Sequence, residues 1–274
     1  MAQRTDIAWC PGCGNFAIRD VLEKAFQELA LPAKNIVFTS GIGQAAKMPQ
    51  YLDVNYFNGL HGRSLPLAVG IKLARPELTV IAYSGDGCNY GEGGNHFIHT
   101  IRRRLDITIL TSNNQVYGLT KGQSSPTTDV AVKNALSPQG NQNIPLNPVA
   151  LAIAMGAPFA ARGFAGDRDH LRDLIKEAIL FKGTAVVDIL QPCVSFNKIN
   201  TYQWYRDRVF KLEAPVKERY EALKTAELWG EKIPIGVIYR NEDSECREGK
   251  KIFRKLITEE DIANQLDMSC VMMR

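Results

Sequence analysis

The chain has 274 residues, a formal net charge of +4 and six cysteines. This length can bury one large α/β core without disulfides, and the interspersed charges lack the basic stripe typical of nucleic-acid-binding proteins. No apolar run reaches the roughly 18 residues of a membrane span and no signal sequence begins the chain, so we expect a cytoplasmic protein with no membrane or nucleic-acid partner.

Helices and strands are predicted to alternate along most of the chain. Apolar residues at helical spacing predict a helix over residues 15–30, and residues 36–39 predict a buried strand that runs into a glycine turn. A helix ("LPLAVGIKLARP"), a strand ("LTVIAYSGDG"), a helix ("EGGNHFIHTIRRRL") and a strand ("ITILTSNN") follow. Two more helices, "PVALAIAMGA" and "RDHLRDLIKEAILFKG", precede a last strand, "TAVVDILQPC". Strands without polar alternation, separated by helices, predict an α/β fold with a mostly parallel sheet covered by helices on both faces.

The composition changes at about residue 197, where Tyr, Trp and dense charge replace the alternation of strands and helices. We therefore predict one domain over residues 1–196 and a C-terminal extension or cap over residues 197–274. Cys246 and Cys270 lie in this extension, and we interpret them as packing residues, since free cysteines commonly behave as small hydrophobes.

Two polar loops carry the strongest functional signal. Gly85-Asp86-Gly87 ends one predicted strand and Asn113-Asn114 ends the next, with 25 residues between them for one crossover helix. Both loops are then expected at the same edge of the sheet, where the carboxyl ends of parallel strands form a ligand-binding crevice. Asp86, Asn114 and the backbone carbonyl of Val116 offer oxygen ligands to Mg²⁺, and the glycines let a diphosphate approach the backbone. The competing interpretations are an ordinary Asp-Gly turn and a Rossmann site, whose glycine spacing this loop misses by one residue.

This pair of loops resembles the thiamine-diphosphate motif of the decarboxylase and oxidoreductase superfamily. Members of that superfamily activate the cofactor with a carboxylate on a second α/β domain of similar size. This chain has room for one such domain, so the resemblance implies an active site that is shared with a partner chain.

Further motifs make the resemblance closer. "CPGCGN", "SGIGQAAKMP", "NGLHGR", "NNQVYGLTKGQ" followed by "SSPT", and "QPC" occur in the order found in β subunits of 2-oxoacid:ferredoxin oxidoreductases, over about residues 8–210. The resemblance implies that Lys47 and Lys121 offer positive charge to the substrate carboxylate or to coenzyme A, and that Leu119 lies near the substrate. The alternative for each lysine is a solvated loop charge, and for His61 a hydrogen-bonded turn histidine. The implied cofactor-binding residues are Ile42, Gly43, Gln44, Ala45, His61, Gly85, Asp86, Gly87, Cys88, Asn114, Val116, Gly118 and Leu119.

The Cys10-x-x-Cys13 motif fits a zinc site, a redox dithiol or an iron-sulfur cluster. A zinc ribbon would need a second such pair, and a thioredoxin-like dithiol would follow a strand. The resemblance implies a [4Fe-4S] cluster bound by Cys10, Cys13, Cys193 and a cysteine at the position that Gln44 occupies here. The missing thiolate leaves three alternatives: the cluster is lost, it has a weaker fourth ligand, or Cys88 replaces the missing cysteine. We predict the last, with Cys88 as the fourth ligand.

The reaction that the resemblance implies is the oxidative decarboxylation of a 2-oxoacid, 2-oxoglutarate or pyruvate in the first place, with coenzyme A as acyl acceptor and ferredoxin as electron acceptor. The expected assembly is an αβ or (αβ)₂ hetero-oligomer. A subunit of a non-oxidative thiamine-diphosphate decarboxylase is one alternative, but it has no use for the three cysteines. A non-catalytic electron-transfer or metal-binding subunit is another, but it leaves the two polar loops without a role.

Overall fold

The computed structural model describes residues 6–134 and 136–242. Within them, eight strands form one sheet in the order β2-β1-β3-β4-β6-β5-β8-β7. The strands are β1 (Ile36–Ser40), β2 (Asn55–Asn58), β3 (Thr79–Gly85), β4 (Thr108–Asn113), β5 (Phe159–Phe164), β6 (Ala185–Leu190), β7 (Val209–Lys211) and β8 (Ile233–Arg240). The α-helices are α1 (Gly14–Glu28), α2 (Ser64–Ala74), α3 (Gly94–Arg103), α4 (Pro148–Ala154), α5 (Arg168–Leu180), α6 (Tyr202–Arg206) and α7 (Arg219–Glu227).

The sheet is mostly parallel, which confirms the predicted α/β class. The strands from β2 to β5 in this order pair in parallel, and β8 then pairs with β5 in the antiparallel direction. Within residues 6–134 and 136–242, every helix is too short or too polar to cross a lipid bilayer.

Both faces of the sheet are buried, and this explains why the central strands lack polar alternation. In β3, Ile81 and Tyr83 pack in the core beneath α1 and α5. Val80 and Ala82 face the opposite way, into a core shared with α2, α3 and α4. A strand that contributes apolar side chains to two cores has no face left for polar residues.

Four strands, β2, β5, β7 and β8, were not predicted from the sequence. The four residues of β2 are all exposed, so they carry no hydrophobic pattern. The strand β5 is buried, but the fully buried Arg162 interrupts its apolar run. Its pairing with β6 and β8 depends on residues distant in the chain, which local patterns do not report.

The alternation of strands and helices, which the sequence shows less clearly after about residue 197, continues in the described part of that segment. Here α6, β7, α7 and β8 continue the fold, and β8 is buried along nearly all its length against β5. Its sequence, "IPIGVIYR", contains Pro and Gly and lies between charged segments, which weakened the signal. The domain boundary at residue 196 stays a prediction, and residues 243–274, with Cys246 and Cys270, lie outside the described residues.

The order of the strands places a crevice at the carboxyl end of β1. The chain continues from β1 to β2 on one side and then crosses to β3 on the other. Connections that leave in opposite directions open a crevice above the strand ends, where ligands bind in open α/β sheets. The loops after β1, β3 and β4 meet at this crevice.

Candidate active site

The loops that follow β1, β2, β3 and β4 line one cavity of about 500 Å³, which includes its open mouth. All thirteen residues that were predicted to bind the cofactor lie on its wall, together with Tyr117 and Thr120. The close approach of the two polar loops is confirmed, because β3 and β4 are parallel neighbours with Gly85 opposite Ser112. The structure thus brings the predicted residues together, while their individual roles stay predictions.

Asp86 is held by two hydroxyl groups that the sequence analysis did not assign. Its side chain is buried, and Oδ2 accepts hydrogen bonds from Ser125 Oγ at 2.5 Å and from Thr127 Oγ1 at 2.8 Å. Burial raises the pKa of the carboxyl group, although these hydrogen bonds oppose the shift. Ser125 and Thr127 belong to the "SSPT" motif. The motif order therefore indicated that this segment belongs to the site, but not that its hydroxyl groups contact Asp86.

A second buried carboxylate supports the loop after β4. The side-chain amide of Asn113 donates to both oxygens of Asp188 at 3.1 and 3.2 Å, and Tyr90 donates its hydroxyl to Asp188 at 2.9 Å. Burial raises the pKa of Asp188 to about 6, against the attraction of the buried Arg162 guanidinium. These contacts fix the first asparagine of the Asn-Asn pair and leave Asn114 facing the cavity.

The chain turns into a helix directly after Asp86. Residues Gly87–Glu92 form a π-helical turn that leads into α3, whereas the sequence predicted a helix start at Glu92. A side chain at position 87 would collide with the ring of Tyr117, since a Cβ atom there would lie 2.2 Å from its Cε1. Gly87 is therefore required by the packing of the next loop, in addition to any approach of a diphosphate.

His61 lies on the cavity wall next to an acidic residue. Its Nδ1 is 2.9 Å from Oε2 of Glu92, a contact that is ionic when the imidazole is protonated. The same carboxylate oxygen accepts a hydrogen bond from Tyr117 at 3.2 Å. Burial and the neighbouring Glu92 raise the pKa of the Tyr117 hydroxyl, so this group acts as a hydrogen-bond donor and stays protonated.

A second cavity, of about 420 Å³, contains three of the predicted cluster ligands. Cys10, Cys13 and Cys193 line it together with Gln44, the residue at the position of the missing cysteine. Gln44, Asn114 and Gly118 line both cavities, so the two share a wall. Burial raises the pKa of Cys13 to about 11, and the thiols of Cys193 and Cys10 contribute in the same direction.

No group of three or more His, Cys, Asp or Glu side chains in the described residues is close enough to hold a single metal ion. The three cysteines lie around one cavity instead, as a cluster needs, because each thiolate there binds a different iron.

The role of Cys88 as fourth cluster ligand stays a prediction, and the structure places this residue apart from the cavity of the other three cysteines. Cys88 lines the cavity of Asp86, not the cavity of the other cysteines. Its sulfur accepts a hydrogen bond from the backbone N–H of Gly62 at 3.2 Å and packs on Gly41, where a Cβ atom would lie 2.3 Å from it. The buried thiol thus fills a gap between two loops. The closeness of Cys88 to Asp86 in the chain did not indicate which cavity the Cys88 side chain lines.

The three residues predicted to meet the substrate differ in whether they line the cavity. Leu119 is on the cavity wall and exposed. Neither Lys47 nor Lys121 is among the described residues that line the cavity. Lys47 follows the wall residue Ala45 by two positions and Lys121 follows Thr120 by one, so both side chains belong to segments that border the site.

The fold, the cavity and a matching family model place the chain among the thiamine-diphosphate-binding α/β domains. Residues 38–189 match the family model of the C-terminal TPP-binding domain of thiamine pyrophosphate enzymes, and residues 193–252 match the model of the C-terminal part of the pyruvate ferredoxin oxidoreductase β subunits. The chain is 46% identical to the 2-oxoacid:ferredoxin oxidoreductase subunit beta of Saccharolobus solfataricus over 85% of this chain and 82% of that protein. It is 43% identical to the 2-oxoglutarate oxidoreductase subunit KorB of Mycobacterium tuberculosis over 70% of this chain and 52% of that protein.

A solved structure supports the same assignment. The 2-oxoglutarate:ferredoxin oxidoreductase from Magnetococcus marinus, with 2-oxoglutarate, coenzyme A and succinyl-CoA bound, superposes with a TM-score of 0.88 at 32% identity, covering 97% of this chain and 94% of that chain. The chain therefore belongs to the family of 2-oxoacid:ferredoxin oxidoreductase β subunits. The two alternatives considered from the sequence, a non-oxidative decarboxylase subunit and a non-catalytic metal-binding subunit, are not favoured by these relatives.

Proposed function

We propose that this chain is the β subunit of an enzyme that converts a 2-oxoacid, coenzyme A and two oxidised ferredoxins into an acyl-CoA, CO₂, a proton and two reduced ferredoxins. The observation that carries the proposal is the wall shared by the two cavities. One cavity carries Asp86 and suits a cofactor diphosphate. The other carries three cysteines and suits an electron acceptor. The shared wall would place the source and the acceptor of the electrons in adjacent cavities.

The residues of the first cavity fit a Mg²⁺-diphosphate group. Asp86 is a buried carboxylate whose hydrogen-bond partners are neutral hydroxyl and amide groups, so a divalent cation would supply the missing positive charge. The side-chain oxygen of Asn114 and the carbonyl of Val116 would complete the protein ligands. At Gly43, with φ of +112°, a Cβ atom would meet no protein atom within 4 Å, so bare backbone faces the space. When bound, thiamine diphosphate supplies the electron sink for a decarboxylated 2-oxoacid.

The residues of the second cavity fit an iron-sulfur cluster. Cys10, Cys13 and Cys193 would provide thiolates, and two of their sulfur atoms already accept hydrogen bonds. Phe196 donates its backbone N–H to Cys193 at 3.4 Å, and the side-chain amide of Gln191 donates to Cys13 at 3.5 Å. Such donors orient ligands and tune a cluster's reduction potential. Iron must displace the proton that burial holds on Cys13, so cluster binding would release protons.

We infer that the substrate is 2-oxoglutarate or pyruvate. The solved relative from Magnetococcus marinus is a 2-oxoglutarate enzyme, and two further relatives carry the name of 2-oxoglutarate enzymes. Lys47 and Lys121 are proposed to attract the substrate carboxylates or coenzyme A, and Leu119 to contact the substrate chain. Because both lysines lie on segments beside the cavity and not on its wall, we propose that they act at its entrance.

An α subunit is proposed to close the cavity and to supply the carboxylate that activates the cofactor. Large apolar side chains stand exposed around the cavity and along the edge strand β2, namely Ile42, Tyr56, Phe57, Leu60 and Leu119. Leu60, beside His61, is 75% exposed, which is costly for a leucine in water. A clustered apolar surface of this kind marks a protein interface. We propose an αβ or (αβ)₂ assembly.

The test is to co-express the chain with its α subunit, purify the complex under nitrogen, and measure acyl-CoA formation with ferredoxin and a panel of 2-oxoacids. We expect turnover with 2-oxoglutarate or pyruvate that depends on coenzyme A, Mg²⁺ and thiamine diphosphate. The variant Asp86→Asn should lose most of this activity, while Asp53→Asn on the surface should not. A cofactor-loaded complex that turns over none of the 2-oxoacids would refute the assignment.

A further inference from the structure

The position of Gln44 is the least explained feature of the shared wall. Its Oε1 is buried, yet it has no hydrogen-bond partner among the described residues. A buried amide oxygen without a partner is costly, and such an oxygen is normally satisfied by a water, an ion or a ligand. Gln44 lines the cavity of the three cysteines as well as the cofactor cavity.

The backbone of Gln44 is held in place from the cysteine side. The indole N–H of Trp9 donates to its carbonyl oxygen at 2.8 Å. Trp9 is buried and packs edge-to-face on Phe16 and Tyr51, with ring centroids 5.3 and 4.8 Å away. Since Trp9 directly precedes Cys10, the same residue fixes the cysteine loop and the Gln44 loop relative to each other.

The described thiols offer no fourth ligand to the cluster cavity. Cys88 is turned into the other cavity, where Gly41 and Gly62 enclose its sulfur. To bind the cluster, the sulfur of Cys88 would have to leave its contacts with Gly41 and Gly62. Gln44 needs no such movement, because it already lies on the cluster cavity wall.

We propose that this chain binds a site-differentiated [4Fe-4S] cluster in which Cys10, Cys13 and Cys193 each bind one iron and Gln44 Oε1 is the protein ligand of the fourth. The inference rests on the cluster of the proposed function. It adds that one iron differs from the other three in its protein ligand. A neutral amide oxygen binds iron more weakly than a thiolate does. The fourth iron would therefore be labile, and the residue that would hold it lies on the wall shared with the cofactor cavity.

The lability has a defined chemical outcome. One-electron oxidation of [4Fe-4S]²⁺ by ferricyanide gives [4Fe-4S]³⁺ and ferrocyanide. The oxidised cluster then releases Fe²⁺ from the amide-bound position and leaves [3Fe-4S]⁺, so charge and iron both balance. Addition of Fe²⁺ and dithionite, which returns one electron, restores the original cluster.

The experiment uses the αβ complex purified under nitrogen and titrated with ferricyanide. Bound iron, sulfide and the electron paramagnetic resonance signal of [3Fe-4S]⁺ are measured at each step. We expect the unmodified complex to lose one iron per β-subunit cluster, keep its sulfide and develop the signal. Gln44→Cys should keep all its iron at the same dose, and Gln44→Ala should lose the fourth iron at a lower dose.

The matched control is Cys88→Ser, which tests the other candidate ligand. We expect it to lose iron as the unmodified complex does. Retention of all iron by the unmodified complex would overturn the inference and leave the proposed function intact. The same conclusion would follow if, among the variants, only Cys88→Ser lost iron faster than the unmodified complex. A complex without iron, prepared under nitrogen, would instead overturn the proposed electron acceptor and the inference with it. If Gln44→Cys does not fold, the inference is still tested by comparing the iron loss of Gln44→Ala with that of the unmodified complex.

Discussion

Thr127 and Asp86 are joined by a hydrogen bond of 2.8 Å between Oγ1 and Oδ2, although the two residues are 41 positions apart in the chain. The Thr127 oxygen also lies 2.8 Å from Oδ1 of Asn113. The hydroxyl group of Thr127 has a single proton, and the carboxylate is the stronger acceptor, so we assign this proton to the hydrogen bond with Asp86. Asn113 Oδ1 accepts a hydrogen bond from the backbone N–H of Gln115 instead. This contact couples the loops after β3 and β4.

We expect Thr127→Val to weaken the binding of Mg²⁺ and thiamine diphosphate about tenfold and to cost about 1–3 kcal/mol of the free energy of unfolding. The substitution keeps the volume but removes a buried donor from Asp86. Cofactor binding by titration calorimetry and stability by urea denaturation would check both. Thr225→Val removes a hydroxyl that bonds the Glu221 carbonyl at an exposed position of α7, and it should change neither quantity by more than about 0.5 kcal/mol.

Two glycines close together in the chain should respond oppositely to alanine. Gly87→Ala places a methyl group against the ring of Tyr117 and should cost about 1–3 kcal/mol of stability. Gly94→Ala meets no atom within 4 Å at the start of α3 and should stabilise the protein by a few tenths to about 1 kcal/mol. Urea denaturation of both variants tests the contact. Equal effects would show that Tyr117 does not pack on Gly87.

The stability contributed by Asp188 should depend on pH. Its pKa is about 6 in the folded protein and about 3.9 in an unfolded chain. A raised folded pKa means that the folded state binds this proton more tightly. The stabilisation is full below about pH 4 and is lost as the pH rises through 6. The loss is about 3 kcal/mol.

The measurement is urea denaturation of the unmodified protein and of Asp188→Asn between pH 4 and 7.5. The stability of the unmodified protein minus that of the variant should fall by about 3 kcal/mol over this range. The surface variant Asp53→Asn should give a flat difference. A flat difference for Asp188→Asn as well would mean that Arg162 compensates the buried carboxylate fully.

Trp9→Phe should separate the hydrogen bond to Gln44 from the packing of the ring. Phenylalanine keeps an aromatic ring against Phe16 and Tyr51 but loses the donor of the 2.8 Å bond. We expect a loss of about 1–2 kcal/mol in stability and faster amide hydrogen exchange at residues 42–47. Trp9→Leu should cost more, since it also removes the edge contacts. Unchanged exchange in Trp9→Phe would contradict the anchoring role.

Sequence patterns located the elements whose signal is local. The central strands β3, β4 and β6 are short apolar runs, and α1 and α5 have clear helical periodicity, so each was predicted. The strands β5 and β8 were missed because each is stabilised by its pairing with the other and carries Arg162 or Gly and Pro within its run. Long-range pairing is invisible in a single segment.

The amino-acid sequence by itself determined the α/β class, the meeting of the loops of Asp86 and Asn114, and the residues of the cofactor cavity. The first two follow from the periodicity of side chains and from the rule that parallel strands end at one edge. The cavity residues were implied by the resemblance of the motifs to a known family. Only the tertiary structure decided that Ser125 and Thr127 hold Asp86, that Cys88 and the other cysteines line different cavities, and that Gln44 lies on the wall shared by the two cavities. The direction of a side chain depends on how loops from distant parts of the chain pack against each other, and spacing along the chain does not contain it.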